Sequence, residues 1–318
     1  MSRGILYGLV LTLLLILGSL FYIVKKTFTR EALTILFSLD KRYLLLSIIC
    51  MAFYHTFDNL RLFVLARAVK LRYSFLYGYV VSLINTFGAT ITPAHLGGEF
   101  MSLYTLSRKG GRLHKVLSIV TVKTATGLSF FLLAFPFFLY DLYRDIQKAK
   151  QLGLILFVAA VLMLILYRVV RWGSNRASEG GFRKRLRYGF GRYIVYLRFF
   201  LRRGKLHLLG ASISSVLLYV SFLLSGAFLL KAFGSTLPTE KMLIAQISLV
   251  YAIFASPTPG GSGVGELGGL SVFEPFLEPA AVGAFVILWR FITQYMSALL
   301  GGLLLSLLLL KDYISWER

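Results

Sequence analysis

Acidic residues, cysteines and histidines are scarce in this 318-residue sequence. Cys50 is the only cysteine, which excludes an internal disulfide, and its apolar neighbours indicate a buried core thiol. The four histidines, at positions 55, 95, 114 and 207, lack the spacing of metal ligands. We therefore expect no metal site, no disulfide framework and no cofactor.

Long hydrophobic runs dominate instead. Hydrophobic residues make up 57% of the sequence, and a mean hydropathy of +0.75 is too high for an ordinary soluble domain. Runs such as 152–167 and 206–230 are apolar on every face, which is typical of membrane helices and not of alternating barrel strands. The sequence thus predicts an all-α polytopic membrane protein, with residues 1–318 as a single membrane domain.

Basic residues outnumber acidic ones by 35 to 13, which gives a net charge of +22. Most of this charge lies between apolar runs, so we expect a membrane surface and no nucleic acid as its partner. The densest block, residues 168–205, contains twelve Lys or Arg with apolar residues every three or four positions. This pattern predicts an amphipathic cytoplasmic connector over about 172–205 that lies on anionic lipid headgroups, or a simple topological anchor.

Six apolar runs are long enough to span a bilayer: 5–24, 43–66, 116–140, 152–171, 207–231 and 281–310. Two further segments, 75–106 and 242–279, each contain a short apolar arm, a Pro/Gly break and a second short arm. Because such arms are too short for a hydrocarbon core about 30 Å thick, we interpret each segment as a re-entrant hairpin that enters and leaves on one side.

The two breaks have the sequences TPAHLGGE, ending at Glu99, and SPTPGGSGVGE, ending at Glu266. Proline removes a backbone donor and glycine permits left-handed turns, so both stretches interrupt a helix and leave polar groups that need partners. The arm after the second break is predicted to point its N-terminal amides at phosphate or carboxylate. The candidate binding residues of the breaks are Pro93, Gly97, Gly98, Pro257, Pro259, Gly260, Gly261 and Gly263.

A shift of 167 residues superimposes the two broken segments and the helices that follow them. It matches four residue pairs: Glu99 with Glu266, Lys123 with Arg290, Gly98 with Gly265, and Thr126 with Thr293. These matches predict an internal duplication, with halves at about 43–140 and 207–310.

The distribution of basic residues predicts an orientation. If both termini and the loops 67–74, 107–115 and 168–205 are cytoplasmic, 22 of the 35 basic residues lie inside. The first hairpin then opens to the cytoplasm and the second to the opposite side, so the halves are inverted. We expect a multi-pass protein of the cytoplasmic membrane with both termini inside the cell.

Four charges fall within predicted membrane segments: Glu99, Lys123, Glu266 and Arg290. An isolated charge at the bilayer centre costs about 2.5–3.5 kcal/mol on insertion scales, so these side chains are expected to face the interior and to pair. Pairing within each repeat and pairing across repeats both fit the spacing. A lipid phosphate that competes for the basic partner would free a glutamate for a proton or a cationic headgroup; a structural ion pair is the alternative.

A second polar face lies on the predicted span 43–66, where His55, Asp58 and Arg61 recur every three residues along one side of the helix. The alternatives are an ordinary Asp58–Arg61 ion pair, a headgroup access path and a proton relay. Asn85, Thr90 and Thr92 on the first hairpin arm are expected to line the same cavity.

Together these motifs resemble one known family. The two break sequences, each followed by a basic residue on the next helix, the segment DNLR at 58–61 and the long basic loop resemble the lysylphosphatidylglycerol synthase transmembrane region, or flippase-like, family. The resemblance covers nearly the whole chain. The sequence is similar to the membrane flippase part of the bacterial multiple peptide resistance factor, which moves aminoacylated phosphatidylglycerol across the cytoplasmic membrane.

The resemblance implies that the prolines and glycines named above, with Glu99 and Glu266, form two signature segments. The first segment departs from the commoner form, Pro-Gly-x-Gly-Gly, by carrying Ala94-His95. Because the sequence ends soon after residue 310, we do not expect the aminoacyl transferase activity of the larger relatives.

Motifs of known enzymes are missing: the stretch GGSGVG at 260–265 has neither the spacing of a nucleophile elbow nor the Lys-Ser/Thr of a phosphate loop. The sequence therefore predicts a flippase or transporter, not an enzyme, that moves a phosphate-containing glycero- or polyprenyl lipid between leaflets. Two alternatives remain open: an integral-membrane transferase that acts on a lipid-linked substrate with Asp141 and Asp145, and a non-transporting assembly subunit.

Overall fold

The computed structural model of this protein describes residues 30–92, 95–144 and 180–316. Every regular element within these ranges is helical, so the predicted all-helical fold is confirmed for them. The predicted spans 5–24 and 152–171, together with Pro93 and the start of the basic connector, lie outside the described residues.

The described chain forms the following α-helices: α1 (Arg30–Phe37), α2 (Lys41–Ala68), α3 (Phe75–Ile91), α4 (Leu96–Ser107), α5 (Leu113–Arg144), α6 (Gly180–Arg202), α7 (Lys205–Ala232), α8 (Thr239–Ala255), α9 (Val264–Phe273), α10 (Pro279–Arg290) and α11 (Met296–Trp316). Short 3-10 turns cover Pro259–Gly261 and Glu274–Phe276. A π-helical segment, Phe291–Tyr295, joins α10 to α11 without a break.

Four of these helical stretches are long and apolar enough to cross a membrane: Lys41–Ala68, Leu113–Tyr143, Lys205–Ala232 and the continuous Pro279–Asp312. They coincide with four of the predicted spans. Their outer surfaces carry exposed leucines such as Leu132, Leu303 and Leu307. Apolar side chains on a helical surface are compatible with lipid tails, because a helix satisfies its own backbone hydrogen bonds. The protein is therefore a helical membrane protein with several spans.

Polar caps determine where two of the inner helices begin. Asp40 precedes α2, and its carboxylate accepts a hydrogen bond from the backbone N–H of Arg42 at 2.8 Å. Ser74 precedes α3, and its hydroxyl accepts one from the backbone N–H of Tyr77 at 3.3 Å. Both caps satisfy amides that the first helical turn leaves without a partner.

Helices α3 and α4 pack against each other as a helical hairpin. A Cβ on Gly97 would lie 2.5 Å from the carbonyl oxygen of Gly88, so the two backbones meet where only glycine fits. At the open end, the Tyr77 hydroxyl donates to the carbonyl oxygen of Thr105 at 2.8 Å. Helices α8 and α9 form a second hairpin, in which Gly268 faces Leu249. Both predicted broken segments therefore fold back on themselves.

Corresponding helices of the two predicted halves make related contacts. The most extensive helix contact joins α2 to α7, the first long helix of each predicted half, while α3 packs on α11 and α5 on α8. Helix α6 lies against α5 and α7, with Phe200 fully buried. The amphipathic helix predicted for the basic connector is thus present at Gly180–Arg202. Between the predicted spans 5–24 and 43–66 the chain forms α1, which packs on α10.

Candidate functional site

The tips of the two hairpins meet in the interior of the protein. The Gln294 side-chain amide donates to the Thr90 hydroxyl at 3.2 Å and to the carbonyl oxygen of Gly260 at 3.0 Å. The imidazole of His95, at the start of α4, stacks on the ring of Phe254, at the end of α8, with centroids 5.2 Å apart. Both breaks therefore face one central region, as expected if they form a single site.

A cavity of about 240 Å³ lies at this junction. Five of the predicted charged residues line it: Asp58, Arg61, Glu99, Lys123 and Arg290. Asn85 and Thr90 line it as well, as expected from their places on the first hairpin arm. The structure thus brings the charges of α2, α4, α5 and α10 to one polar chamber.

The second break is shaped by glycines and proline. Gly260, Gly261 and Gly263 have φ values of 57°, 67° and 84°, in the left-handed region that side chains with a Cβ disfavour. Pro259 begins the 3-10 turn, and Pro257 lies in the extended stretch before it. These residues build the turn that allows α9 to begin at Val264.

Glu266 and Arg290 form a buried ion pair within the second half. Arg290 Nε donates to Glu266 Oε1 at 2.9 Å, and its Nη2 donates to the carbonyl oxygen of Gly260 at 3.0 Å. The other carboxylate oxygen accepts from the backbone N–H of Gly263 at 2.6 Å. The Glu266 carboxylate therefore occupies the start of α9, where the sequence predicted amides that await a phosphate or carboxylate.

The π-helical segment places a third residue, Tyr295, next to this ion pair. Tyr295 also donates its hydroxyl to Glu266 Oε1, although it lies five residues beyond Arg290. In a regular α-helix, side chains five residues apart point about 140° apart around the axis. The wider π turn at Phe291–Tyr295 brings both donors to one carboxylate, a use of π geometry that recurs at functional sites.

Glu99 and Lys123 form the corresponding pair in the first half, but it is looser. Lys123 Nζ lies 3.8 Å from Glu99 Oε1, beyond direct hydrogen-bonding distance. The hydroxyl of Thr124 approaches the same oxygen at 3.0 Å. Within the described part of the chain, Glu99 Oε2 is buried and has no hydrogen-bond partner. The Lys123 side chain is 4% exposed and that of Glu99 is 33% exposed, so the ammonium is buried while part of the Glu99 side chain reaches the surface.

The first break is closed by Thr92, which was expected to line the cavity but is not among its lining residues. Its hydroxyl donates to the carbonyl oxygen of Gly88 and accepts from the backbone N–H of Gly97, both at 2.7 Å. His95 has a φ of 59°, so it adopts a left-handed conformation like the glycines of the second break. Gly98 packs against the backbone of Asn85. The departure at Ala94-His95 thus adds an imidazole to the chamber instead of a second glycine turn.

On α2, Asp58 and Arg61 are paired, as one of the predicted alternatives requires. Arg61 Nη2 donates to Asp58 Oδ1, and Ser82 on α3 donates its hydroxyl to Asp58 Oδ2 at 2.6 Å. His55 does not contact Asp58 directly. Its Nδ1 lies 2.9 Å from the Ser82 hydroxyl, and its Nε2 lies 2.7 Å from the hydroxyl of Ser297 on α11.

Both glutamates therefore pair with the basic residue of their own half. Sequence reasoning missed the supporting polar side chains, which are Ser82, Thr124, Gln294, Tyr295 and Ser297. Serine and threonine are common in membrane helices, where they usually bond their own backbone, so their spacing carries little information. Over the described residues, no three His, Cys, Asp or Glu side chains gather as a metal site would require.

The fold and the site define a class: a helical membrane protein in which two broken hairpins enclose a chamber of paired charges. Comparison with known families identifies it further. The model of the family described as "Lysylphosphatidylglycerol synthase TM region" matches residues 5–301. The chain belongs to this family, as its sequence motifs indicated.

A curated relative supports the same assignment. The chain is similar to a protein described as "UPF0104 membrane protein" from Archaeoglobus fulgidus, with 26% identity over 271 residues. The match covers 80% of this chain and 82% of the relative. The similarity therefore extends over most of both chains.

Proposed function

We propose that this protein moves a phosphate-containing lipid between the leaflets of the cytoplasmic membrane and that its headgroup passes through the chamber between the two hairpins. The observation that carries this proposal is the chamber itself. It lies inside a membrane domain, and five charged side chains line it. The name of the family refers to a phospholipid, lysylphosphatidylglycerol, which agrees with a lipid-related role.

The phosphate is assigned to the side of the chamber formed by Lys123 and Arg61. The Lys123 ammonium is almost fully buried and holds its carboxylate only at 3.8 Å. Arg61 Nε is buried and has no hydrogen-bond partner among the described residues. Arg290, by contrast, is held by Glu266 and by the carbonyl oxygen of Gly260. A phosphate gains charge-assisted hydrogen bonds from Lys123 and from Arg61, where it competes with Asp58, and it leaves the tight pair of Arg290 with Glu266 intact.

The lipid tail remains in the bilayer in this proposal. Leu128 on α5 and Phe254 on α8 both line the chamber, and they are 58% and 43% exposed. The chamber thus has an exposed apolar margin between two helices. Such a margin suits an acyl or prenyl chain that slides along the protein while only the headgroup is enclosed.

Two topological features belong to the same proposal. The hairpins α3–α4 and α8–α9 are re-entrant and related as an inverted repeat, one open to the cytoplasm and the other to the opposite side. Both chain termini are cytoplasmic. The basic connector at 168–205, which includes α6, rests on anionic headgroups and not on nucleic acid. The hairpin tips that meet at Thr90 and Gly260 support a binding site near the bilayer midplane.

Transport is favoured over a transferase reaction by the contacts of Asp141. This residue was a candidate catalytic carboxylate, yet it accepts a hydrogen bond from the Ser248 hydroxyl on α8. That contact joins α5 to α8 and gives Asp141 a structural role. The second candidate carboxylate, Asp145, lies outside the described residues.

A leaflet-exchange assay tests the proposal. The protein is reconstituted in liposomes with trace fluorescent phosphatidylglycerol, phosphatidylethanolamine or a polyprenyl phosphate, and dithionite quenching reports exposure of the label. We expect protein-dependent exchange of at least one of these lipids and a reduction of about tenfold or more in Lys123→Met, since one charge-assisted contact is worth about 1.5–3 kcal/mol.

The matched control is Lys109→Met. Lys109 lies outside the chamber, with its ammonium 4.3 Å from the ring centroid of Tyr77, so this variant is expected to exchange lipid like the wild type. Folded wild-type protein that exchanges none of the three lipids would contradict the proposal and favour an assembly subunit. Equal loss in both lysine variants would remove the assignment of the phosphate to Lys123.

A further inference from the structure

A buried chain of hydrogen bonds leads from the chamber to α11. It runs from Asp58 through the hydroxyl of Ser82 and the imidazole of His55 to the hydroxyl of Ser297, with separations of 2.6, 2.9 and 2.7 Å. All four residues are at most 7% exposed. Asp58 also lines the chamber, so one end of the chain is in contact with the place assigned to the lipid phosphate.

The direction of these hydrogen bonds follows from the chemistry of the groups. A carboxylate only accepts, so the single proton of the Ser82 hydroxyl goes to Asp58. The Ser82 oxygen must then accept from His55 Nδ1–H, which leaves His55 Nε2 as an acceptor for the Ser297 hydroxyl. The structure therefore fixes neutral His55 as its Nδ1–H tautomer. Rotation of the Ser297 hydroxyl would allow Nε2 to carry a second proton without the loss of any hydrogen bond.

The charge balance of the chamber explains why a proton would bind when a phosphate enters. Asp58, Glu99 and Glu266 are matched one to one by Arg61, Lys123 and Arg290. A phosphate that enters this neutral set brings one uncompensated negative charge into a region of low dielectric, where it is costly. If the phosphate takes the hydrogen bonds of Arg61, Asp58 loses its own counter-charge. A proton on His55 restores the balance, because the carboxylate then stabilises the imidazolium through Ser82.

We propose that Asp58, Ser82 and His55 form a proton-binding site and that the protein binds one proton together with each lipid phosphate. The added proton goes to His55 Nε2, the free acceptor of the Nδ1–H tautomer, and the Ser297 hydroxyl turns from donor to acceptor. Asp58 remains a carboxylate and accepts from Ser82, which accepts from His55 Nδ1–H. One proton is taken up and one imidazolium is formed, so charge and protons balance. This inference rests on the proposed function and deepens it, because it makes lipid movement proton-coupled.

Other ionisable groups surround this site, and none of them replaces His55 in the chain. Tyr54 contacts the His55 ring edge-on, with centroids 5.1 Å apart. Helix α2 packs against α3, α5, α7 and the π-helical segment. The ionisable side chains that these elements carry towards this region are Tyr79, Lys123, Tyr219 and Tyr295. Arg290 immediately precedes the π-helical segment. Tyr79 bonds Thr56 and Tyr295 bonds Glu266. His95 lines the chamber from α4 and is the competing proton acceptor.

Calorimetry of the full-length protein in detergent tests the proposal without any transport step. Short-chain dihexanoyl phosphatidylglycerol is titrated in two buffers of different ionisation enthalpy, which gives the number of protons taken up per lipid bound. The wild type is expected to take up about one proton, and His55→Gln and Ser82→Ala are expected to take up close to none. His114→Gln, which is outside the chamber, is the matched control and should keep the uptake, while His95→Gln tests the competing proton acceptor. Nitrogen NMR of labelled histidine should show the Nδ1–H tautomer of His55 before lipid is added.

Each outcome decides a different point. Binding without proton uptake, or uptake that is lost in His95→Gln and kept in His55→Gln, would overturn the proton site and leave the proposed function intact. The Nε2–H tautomer in the lipid-free wild type would also overturn it. No binding of the phosphate lipid by folded protein would remove the proposed function and this inference with it. A folding defect in His55→Gln would also abolish proton uptake, so Ser297→Ala is measured as a second variant. It retains the imidazole and is expected to lower the proton uptake.

Proton coupling also predicts a measurable distribution of lipid between the leaflets of liposomes. With one proton per lipid, a gradient of one pH unit is worth about 1.4 kcal/mol and drives a leaflet ratio of up to about tenfold. The wild type is expected to accumulate labelled lipid in the leaflet that faces the alkaline side. Wild-type exchange that ends at equal distribution despite the gradient would contradict coupling.

Discussion

Glu266 and Arg290 are 24 residues apart and form an ion pair that is closed to solvent, with side-chain exposures of 0% and 2%. The pair ties the start of α9 to the end of α10 and holds the carbonyl oxygen of Gly260 in the adjacent break. The ion pair therefore connects the second break and the start of α9 to the end of α10. The corresponding pair, Glu99 and Lys123, is wider and partly exposed. We interpret the tight pair as structural and the loose pair as the one that opens for a ligand.

This difference predicts the energetics of the tight pair. Removing one partner of a buried ion pair leaves an uncompensated charge and costs about 3–5 kcal/mol. Glu266→Gln and Arg290→Met should each lower the stability of the protein by about that amount, as measured by thermal unfolding in detergent. The double variant should be less destabilised than the sum of the two single variants, because neither charge is left alone.

For comparison, thermal unfolding is measured for Glu99→Gln, Lys123→Met and the corresponding double variant. Its single variants should cost less, since Lys123 Nζ and Glu99 Oε1 are 3.8 Å apart and the Glu99 side chain is one third exposed, so the pair interacts more weakly. Additive losses for Glu266 and Arg290, or larger losses for Glu99 and Lys123, would contradict the division into a structural and a functional pair.

The close approach of α3 and α4 predicts the effect of a single methyl group. Gly97→Ala places a Cβ 2.5 Å from the Gly88 carbonyl oxygen and from the Thr92 side chain. Overpacking of this kind typically costs about 1–3 kcal/mol. Thermal unfolding of Gly97→Ala should therefore occur at a lower temperature than that of the wild type.

Gly210→Ala is the matched control for this substitution. The new Cβ would meet its nearest neighbour, Val64 Cγ1, at an ordinary 3.7 Å. Alanine is a better helix former than glycine by about 1 kcal/mol, so this variant is expected to be as stable as the wild type or more stable. A Gly97→Ala protein as stable as Gly210→Ala would show that the hairpin does not need the close backbone contact.

A salt bridge near the end of α4 should matter much less. Arg108 Nη1 contacts Asp312 Oδ2 on α11, and the Tyr104 hydroxyl donates to the same oxygen at 2.9 Å. The Asp312 side chain is 45% exposed, and exposed ion pairs contribute about 0–1 kcal/mol. Asp312→Asn should change the unfolding temperature only slightly, and less at high salt. A loss as large as that of Glu266→Gln would mean that this contact holds the first hairpin in place.

Much of the fold was predictable because hydrophobic length and proline are strong determinants in a membrane. The four long apolar runs that the structure describes became long helices, since a chain in lipid has few other ways to satisfy its backbone. The break SPTPGGSGVGE was equally clear, because glycines with positive φ and a proline at the 3-10 turn cannot continue a helix. The cost of unpaired charges in a bilayer predicted that the four charges would pair, but the spacing left pairing within and across the repeats open.

Other features depend on tertiary geometry that no short motif encodes. The π-helical segment that brings Tyr295 to Glu266 has the sequence FITQY, which contains no proline, glycine or other marker of irregular helix. The link from His55 to Asp58 passes through Ser82, 27 residues away from His55 in sequence, and neither spacing nor composition indicates it. The short helix α1 was missed because its eight residues carry no spanning or capping pattern.

The central claim is that the lipid headgroup passes between the tips of the two hairpins. His95 and Phe254 stack across this gap, so a cysteine pair at these positions can be joined by a short bifunctional thiol reagent. The only native cysteine, Cys50, is buried and is replaced by serine in the background protein. Each single-cysteine variant, treated in the same way, controls for the reagent.

The decisive measurement is leaflet exchange of fluorescent phospholipid by His95→Cys/Phe254→Cys protein before cross-linking, after cross-linking and after cleavage of the cross-link. The account predicts that exchange stops when the tips are joined and returns when a reducing agent cleaves the linker. Exchange that continues at the same rate in fully cross-linked protein would contradict a headgroup path between the hairpins.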